Sequence, residues 1–102
     1  MKRNRKINYG AINRAALAGL PDLCAQWLPD GRRLGNEFVA LNPRRDDRGH
    51  GSFRINLLSG RWADFAIDVY GGDPISLLAY LKGIKQSSAA LQLAEMLGVH
   101  ND

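Results

Sequence analysis

The sequence predicts an α+β fold: a small three-stranded antiparallel β-meander packed with about three to four α-helices. Three observations predict it. Ser52–Leu58 alternates, with Phe53, Ile55 and Leu57 facing one way and Arg54 and Asn56 the other, the period of a strand with one buried face. Ala90, Leu93, Ala94 and Leu97 fall at i, i+3, i+4 and i+7, the stripe of an amphipathic helix. Strand signals cluster in the middle of the chain and helix signals follow them, the order of an α+β domain rather than of alternating βαβ units.

The elements follow in order. MKRNRK, residues 1–6, reads as a disordered basic tail, residues 7–99 as one domain, and residues 100–102 as a frayed end. Ile12, Ala15, Ala16 and Gly19 have helical spacing. Pro21 ends that helix and opens a second short turn through Trp27. Pro29-Asp30-Gly31 is a turn signal. Asn36–Leu41 is the first strand. A polar loop from Asn42 to Gly51 leads to the second, Ser52–Leu58. Ser59-Gly60 supplies a tight turn, and Arg61–Ala66 returns as the third. Trp62 and Phe65 suit a pleated, half-buried strand.

Gly71-Gly72 reads as a joint without side chains. Asp73 then caps a helix that begins at Pro74 and stops at Gly83. Ile75, Leu78 and Ala79 form its stripe, with Leu77 and Leu81 beside it. Ser87 or Ser88 caps the last helix, and Gly98 ends it.

Composition narrows the function. The 102 residues, 45% hydrophobic and 24% charged, suit one globular domain with a small core. No apolar run nears the roughly 20 residues that span a bilayer. A single cysteine, Cys24, excludes an internal disulfide and fits a reducing compartment, so a cytoplasmic location is expected. Charge is uneven. The tail carries four basic residues; residues 32–61 carry seven Arg against three acids; residues 62–102 carry two Lys against five acids. Every cation of the central segment is Arg, the side chain suited to bidentate phosphate contact and base stacking, so a polyanion is the expected partner.

The candidate nucleic-acid contacts are Arg32 and Arg33 after the first turn, Arg44, Arg45, Arg48 and His50 in the polar loop, and Arg54, Arg61 and Trp62 on the hairpin. A positive groove with a stacking aromatic is what single-stranded DNA requires. Changing Arg44, Arg45 and Arg48 to Ala is expected to weaken binding without unfolding the domain. Asp73 is explained by capping. Asp64 and Asp68 lack any spacing that suggests catalysis, and no Ser-His-Asp order, P-loop or dinucleotide motif occurs.

Phe38–Leu41, Asn42-Pro43, Ser52-Phe53, the run Gly60-Arg61-Trp62-Ala63-Asp64-Phe65-Ala66, Gly71-Gly72-Asp73 and Ile75-Ser76-Leu77 together resemble the N-terminal zinc-ribbon domain of DnaG-type DNA primases. The likeness is strongest to versions in phage and plasmid primase/helicase proteins, and it covers residues 12–99. It implies a ribbon-like meander that helps recognise a single-stranded template, with synthesis carried out by a separate domain. The chain would then be no enzyme by itself, and a replication helicase or a primase catalytic domain would be its protein partner.

The departure from that family is large. Its ribbon holds zinc with a Cys/His pair before the hairpin and a Cys pair after it. The corresponding places, Leu41–Arg45 and Asp64–Ile67, contain neither residue. A metal-free ribbon with no cofactor is therefore expected, with Leu41, Trp62 and Phe65 replacing the metal by hydrophobic contact. Two functions follow: binding single-stranded DNA through the Arg-rich loop and hairpin, or docking a helicase or primase through the C-terminal helices, near Leu77–Leu81.

Overall fold

A computed structural model describes residues 6–46 and 51–100. The expected tail up to Arg5, the loop residues Arg48 and His50, and the last two residues lie outside the described residues. The chain runs α1 (Tyr9–Ala18), α2 (Leu20–Trp27), β1 (Arg32–Leu34), β2 (Glu37–Ala40), β3 (Phe53–Asn56), β4 (Trp62–Asp64), β5 (Val69–Gly71), α3 (Pro74–Lys82) and α4 (Gln86–Leu97). This is the α+β class. The sheet, however, has five strands in the order β1-β2-β3-β4-β5, all antiparallel, where three were expected. The additional strands are the two edges, each only three residues long.

Local chemistry explains the boundaries. The Asn8 side chain accepts from the Ala11 N–H at 3.0 Å and starts α1. Gly19 separates α1 from α2, and Pro21 lies in the first turn of α2, where its missing N–H is harmless. The β3–β4 turn passes through Gly60 at φ +84°, and the Asn56 side chain accepts from the N–H groups of Leu58 and Ser59 at 2.9 and 3.0 Å. Asp73 and Ser76 form a capping box at the start of α3, and Gly83 ends that helix at φ +66°. The expected serine cap of α4 is not used: the helix begins at Gln86, with Lys85 at the cap position and no side-chain hydrogen bond there.

The helices cover one face of the sheet. Phe38, Phe53, Ile55 and Trp62 join Ile12, Leu20, Ile75, Leu78 and Leu93 in a single core. Leu77, Leu78 and Ala79 are buried in it, so they do not form the exposed apolar groove near Leu77–Leu81 that would favour docking. Cys24 is also buried, and burial pushes its thiol up to about 12. No described helix is long and apolar enough to cross a membrane.

Candidate nucleic-acid interface

Strand register decides which side chains reach the uncovered face. Pairing places Arg32, Val39, Arg54, Ala63 and Tyr70 opposite one another across all five strands. Leu34, Glu37 and Asn56 form the neighbouring row of the same face. Alternation sends Arg33, Phe38, Ile55, Trp62 and Gly71 to the opposite side. Arg32 and Arg33 therefore do not act together; Arg33 folds back on its own turn, with Nε donating to the Gly35 carbonyl at 2.9 Å.

A groove of about 530 Å³ lies on the open face, lined by Glu37, Arg54, Arg61, Phe65 and Tyr70 among others. Its walls come from the sheet and the segments joining its strands, with Gly72 at the end; none comes from a helix. Phe65 and Tyr70 are 72% and 75% exposed and line the same groove, so the exposed apolar surface there is shared between two rings. Neither was among the sequence-derived candidates. The signal that could have found Tyr70 is its register with Arg54, which becomes visible only once β5 is recognised as a strand.

Trp62 is corrected in the opposite direction. It is 5% exposed, and its indole N–H donates to Ser76 Oγ at 2.9 Å. The ring centre lies 6.2 Å from that of Phe53, edge-on, and 5.0 Å from that of Tyr80. It borders the groove, but at 5% exposure it does not offer a base a free face. Gly71 makes this possible. A Cβ there would fall 2.4 Å from Trp62 Nε1 and 2.6 Å from Ser76 Oγ. Gly71, though not Gly72, is thus a close approach as well as part of the joint.

Two of the loop arginines are committed to the fold. Arg45 Nε donates to Asp64 Oδ2 at 2.7 Å, and its Nη2 donates to Ser52 Oγ at 2.9 Å. Asn42 Nδ2 donates to the same Asp64 oxygen and to the Tyr80 hydroxyl, both at 2.8 Å. Asp64 is fully buried. Burial alone would raise its carboxyl; hydrogen bonds from Arg45, Asn42 and the Ala66 N–H, with the Arg45 charge, outweigh that effect and hold it at about 2. Arg44 Nη1 donates to the Tyr80 carbonyl at 2.8 Å, and its guanidinium lies 5.5 Å from the centre of the Tyr80 ring.

This polar clamp joins the two places where the primase resemblance puts its ligand pairs. The expected hydrophobic replacement by Leu41, Trp62 and Phe65 is therefore corrected at Leu41 and Phe65, while Trp62 does join the core. Phe65 faces solvent, Leu41 is only half-buried, and Trp62 packs toward α3. A carboxylate, a guanidinium and an amide make the connection instead. The expectation that the loop arginines can be removed without structural cost fails at Arg45 for the same reason.

Hairpin arginines remain at the groove. Arg54 Nη1 lies 2.8 Å from Glu37 Oε1, and its Nε donates to the Gly51 carbonyl at 2.8 Å. Arg61 is exposed on the rim. Asp68 occupies a left-handed turn position at φ +58°, which Asp tolerates, and Asp73 is the helix cap. Among the described residues, no three His, Cys, Asp or Glu side chains gather as a metal site would require.

No protein-family model matches this sequence, and no curated protein matches it. The likeness to primase ribbons accordingly rests on the sequence runs that carry it.

Proposed function

We propose that this domain binds single-stranded DNA across the open face of its sheet, as a non-catalytic module of, or derived from, a mobile-element replication protein working in the cytoplasm. The observation that supports this reading is the exposure of Phe65 and Tyr70 in one groove with Arg54 and Arg61. Cations follow the phosphates while aromatic faces stack bases, and stacking tolerates any sequence because every base has a π-face. Arg32 extends the row toward β1, and α1, α3 and α4 hold the sheet from behind. In this reading the hairpin and β5 carry recognition, while Arg45 ties the loop to the hairpin and Arg44 ties it to α3.

Fluorescence anisotropy with a labelled oligonucleotide of about a dozen nucleotides, within the site size of small single-strand binders, tests the proposal. The expected result is saturable binding that weakens as salt rises, with little preference among sequences. Absence of binding at low salt, or an affinity indifferent to salt, overturns it. In that case docking of a replication protein by the helical side becomes the better reading, with Leu91 and Met96 on α4 as its exposed apolar residues.

A further inference from the structure

Glu37 is out of place in a groove that attracts phosphates. It stands on the open face at the start of β2, in the row beside Arg54, and its carboxylate holds the Arg54 guanidinium at 2.8 Å. The pair is not buried: the two side chains are 40% and 41% exposed. An ion pair this open is weak and screened by salt, so its members exchange partners readily. The second hold on Arg54, its Nε bond to the Gly51 carbonyl at 2.8 Å, keeps the rigid guanidinium in place while the acceptor at Nη1 is exchanged. A carboxylate and a phosphate present similar paired oxygens to a guanidinium.

We propose that Glu37 is a built-in competitor for the DNA backbone, occupying on Arg54 the position that a phosphate takes when a strand enters the groove. This rests on the reading of the groove as a single-strand site. It makes Glu37 the residue that limits affinity: in the free domain the charge of Arg54 is cancelled, and Arg61 supplies the uncancelled cation of the groove. Binding exchanges one partner of Arg54 for another and leaves Glu37 facing the strand. Release is therefore assisted from within the site, as suits a module that must let a template move.

The test compares E37Q with the wild type, using the same labelled oligonucleotide over a salt series. E37Q removes the charge and keeps the shape, and a thermal melt checks that the fold is retained. The expected result is binding about three- to tenfold tighter at low salt, the size of one nearby unit charge in a partly aqueous groove. The plot of log affinity against log salt should steepen by up to about 0.7, because in the wild type the displaced Glu37 charge facing the strand offsets the one phosphate contact that Arg54 makes. R54A should abolish that steepening in the E37Q background. E95Q, which removes the same charge from α4, should leave both quantities unchanged and so separates a local competitor from net charge. If the wild type binds and E37Q binds no tighter, or if E95Q has the same effect as E37Q, the competitor is overturned while the binding site stands. If neither the wild type nor E37Q binds, both readings fall.

Discussion

Arg45 and Asp64, nineteen positions apart in the chain, meet at 2.7 Å with the carboxylate fully buried. Asn42 and Tyr80 join them, so the turn before the hairpin, the end of β4 and helix α3 are held at one point. Taking one member from such a pair leaves a charge buried without its partner, which costs far more than the intact pair contributes. R45A should therefore destabilise the domain by about 3 kcal/mol, the lower end of the range for a broken buried pair, because Arg45 retains some solvent contact. Urea denaturation followed by far-UV circular dichroism measures it. A loss below about 1 kcal/mol, the scale of an ordinary surface pair, would show that the clamp is not structural.

The same pair predicts an acid transition. The Asp64 carboxyl lies at about 2 in the folded domain against an ordinary 3.8. A lowered folded value means that the unfolded chain takes up the proton first as pH falls. The stabilisation is complete above about pH 4 and is lost as pH drops toward about 2. Urea midpoints measured across this interval should fall in the wild type and fall less steeply in D64N, whose side chain does not ionise.

Gly71 and Trp62 supply a packing prediction. G71A places a methyl against the indole nitrogen and Ser76 Oγ, both of which are fixed by their hydrogen bond. The expected cost is about 1–3 kcal/mol, typical of overpacking. A lowered thermal midpoint with altered tryptophan fluorescence is the expected record. An unchanged midpoint would mean that Trp62 is free to shift.

The aromatic residues should separate cleanly in function. Y70A and F65A should each weaken single-stranded DNA binding by about 1–3 kcal/mol, the usual loss for a stacking residue. Both rings are largely exposed, so thermal midpoints should barely move. W62A should do the reverse, lowering stability by roughly 3–5 kcal/mol as a large buried ring is removed. Should W62A fold normally and Y70A bind normally, the assignment of the open face is wrong.

The well-signalled elements were those whose instructions are local. Asp73-Pro74 and Gly83 mark α3 because capping and left-handed termination depend on single residues. Ser59-Gly60 marks the hairpin for the same reason. The edge strands β1 and β5 are not legible because three residues are too few to show a period, and Gly71-Gly72 reads as a joint before the helix. Phe65 misled because an apolar ring just past a strand end reads as core, while only register shows which way the chain has turned. The clamp was invisible for a different reason. Asn42, Arg45, Asp64 and Tyr80 are ordinary polar residues spread along the chain, and their relation exists only in three dimensions.

Phe65 sits between two anchored neighbours. Its own N–H donates to the Ser52 carbonyl at 2.8 Å, and the Ala66 N–H donates to Asp64 Oδ1 at 3.0 Å. The backbone beneath this solvent-facing ring is thus held on one side by the Ser52 carbonyl and on the other by the buried acid. Under the proposed function, a strand arriving there would meet backbone already in place, and less conformational entropy would be lost on contact. The acid that ties the turns together would also, in the proposed single-strand reading, hold the ring's backbone ready for a base.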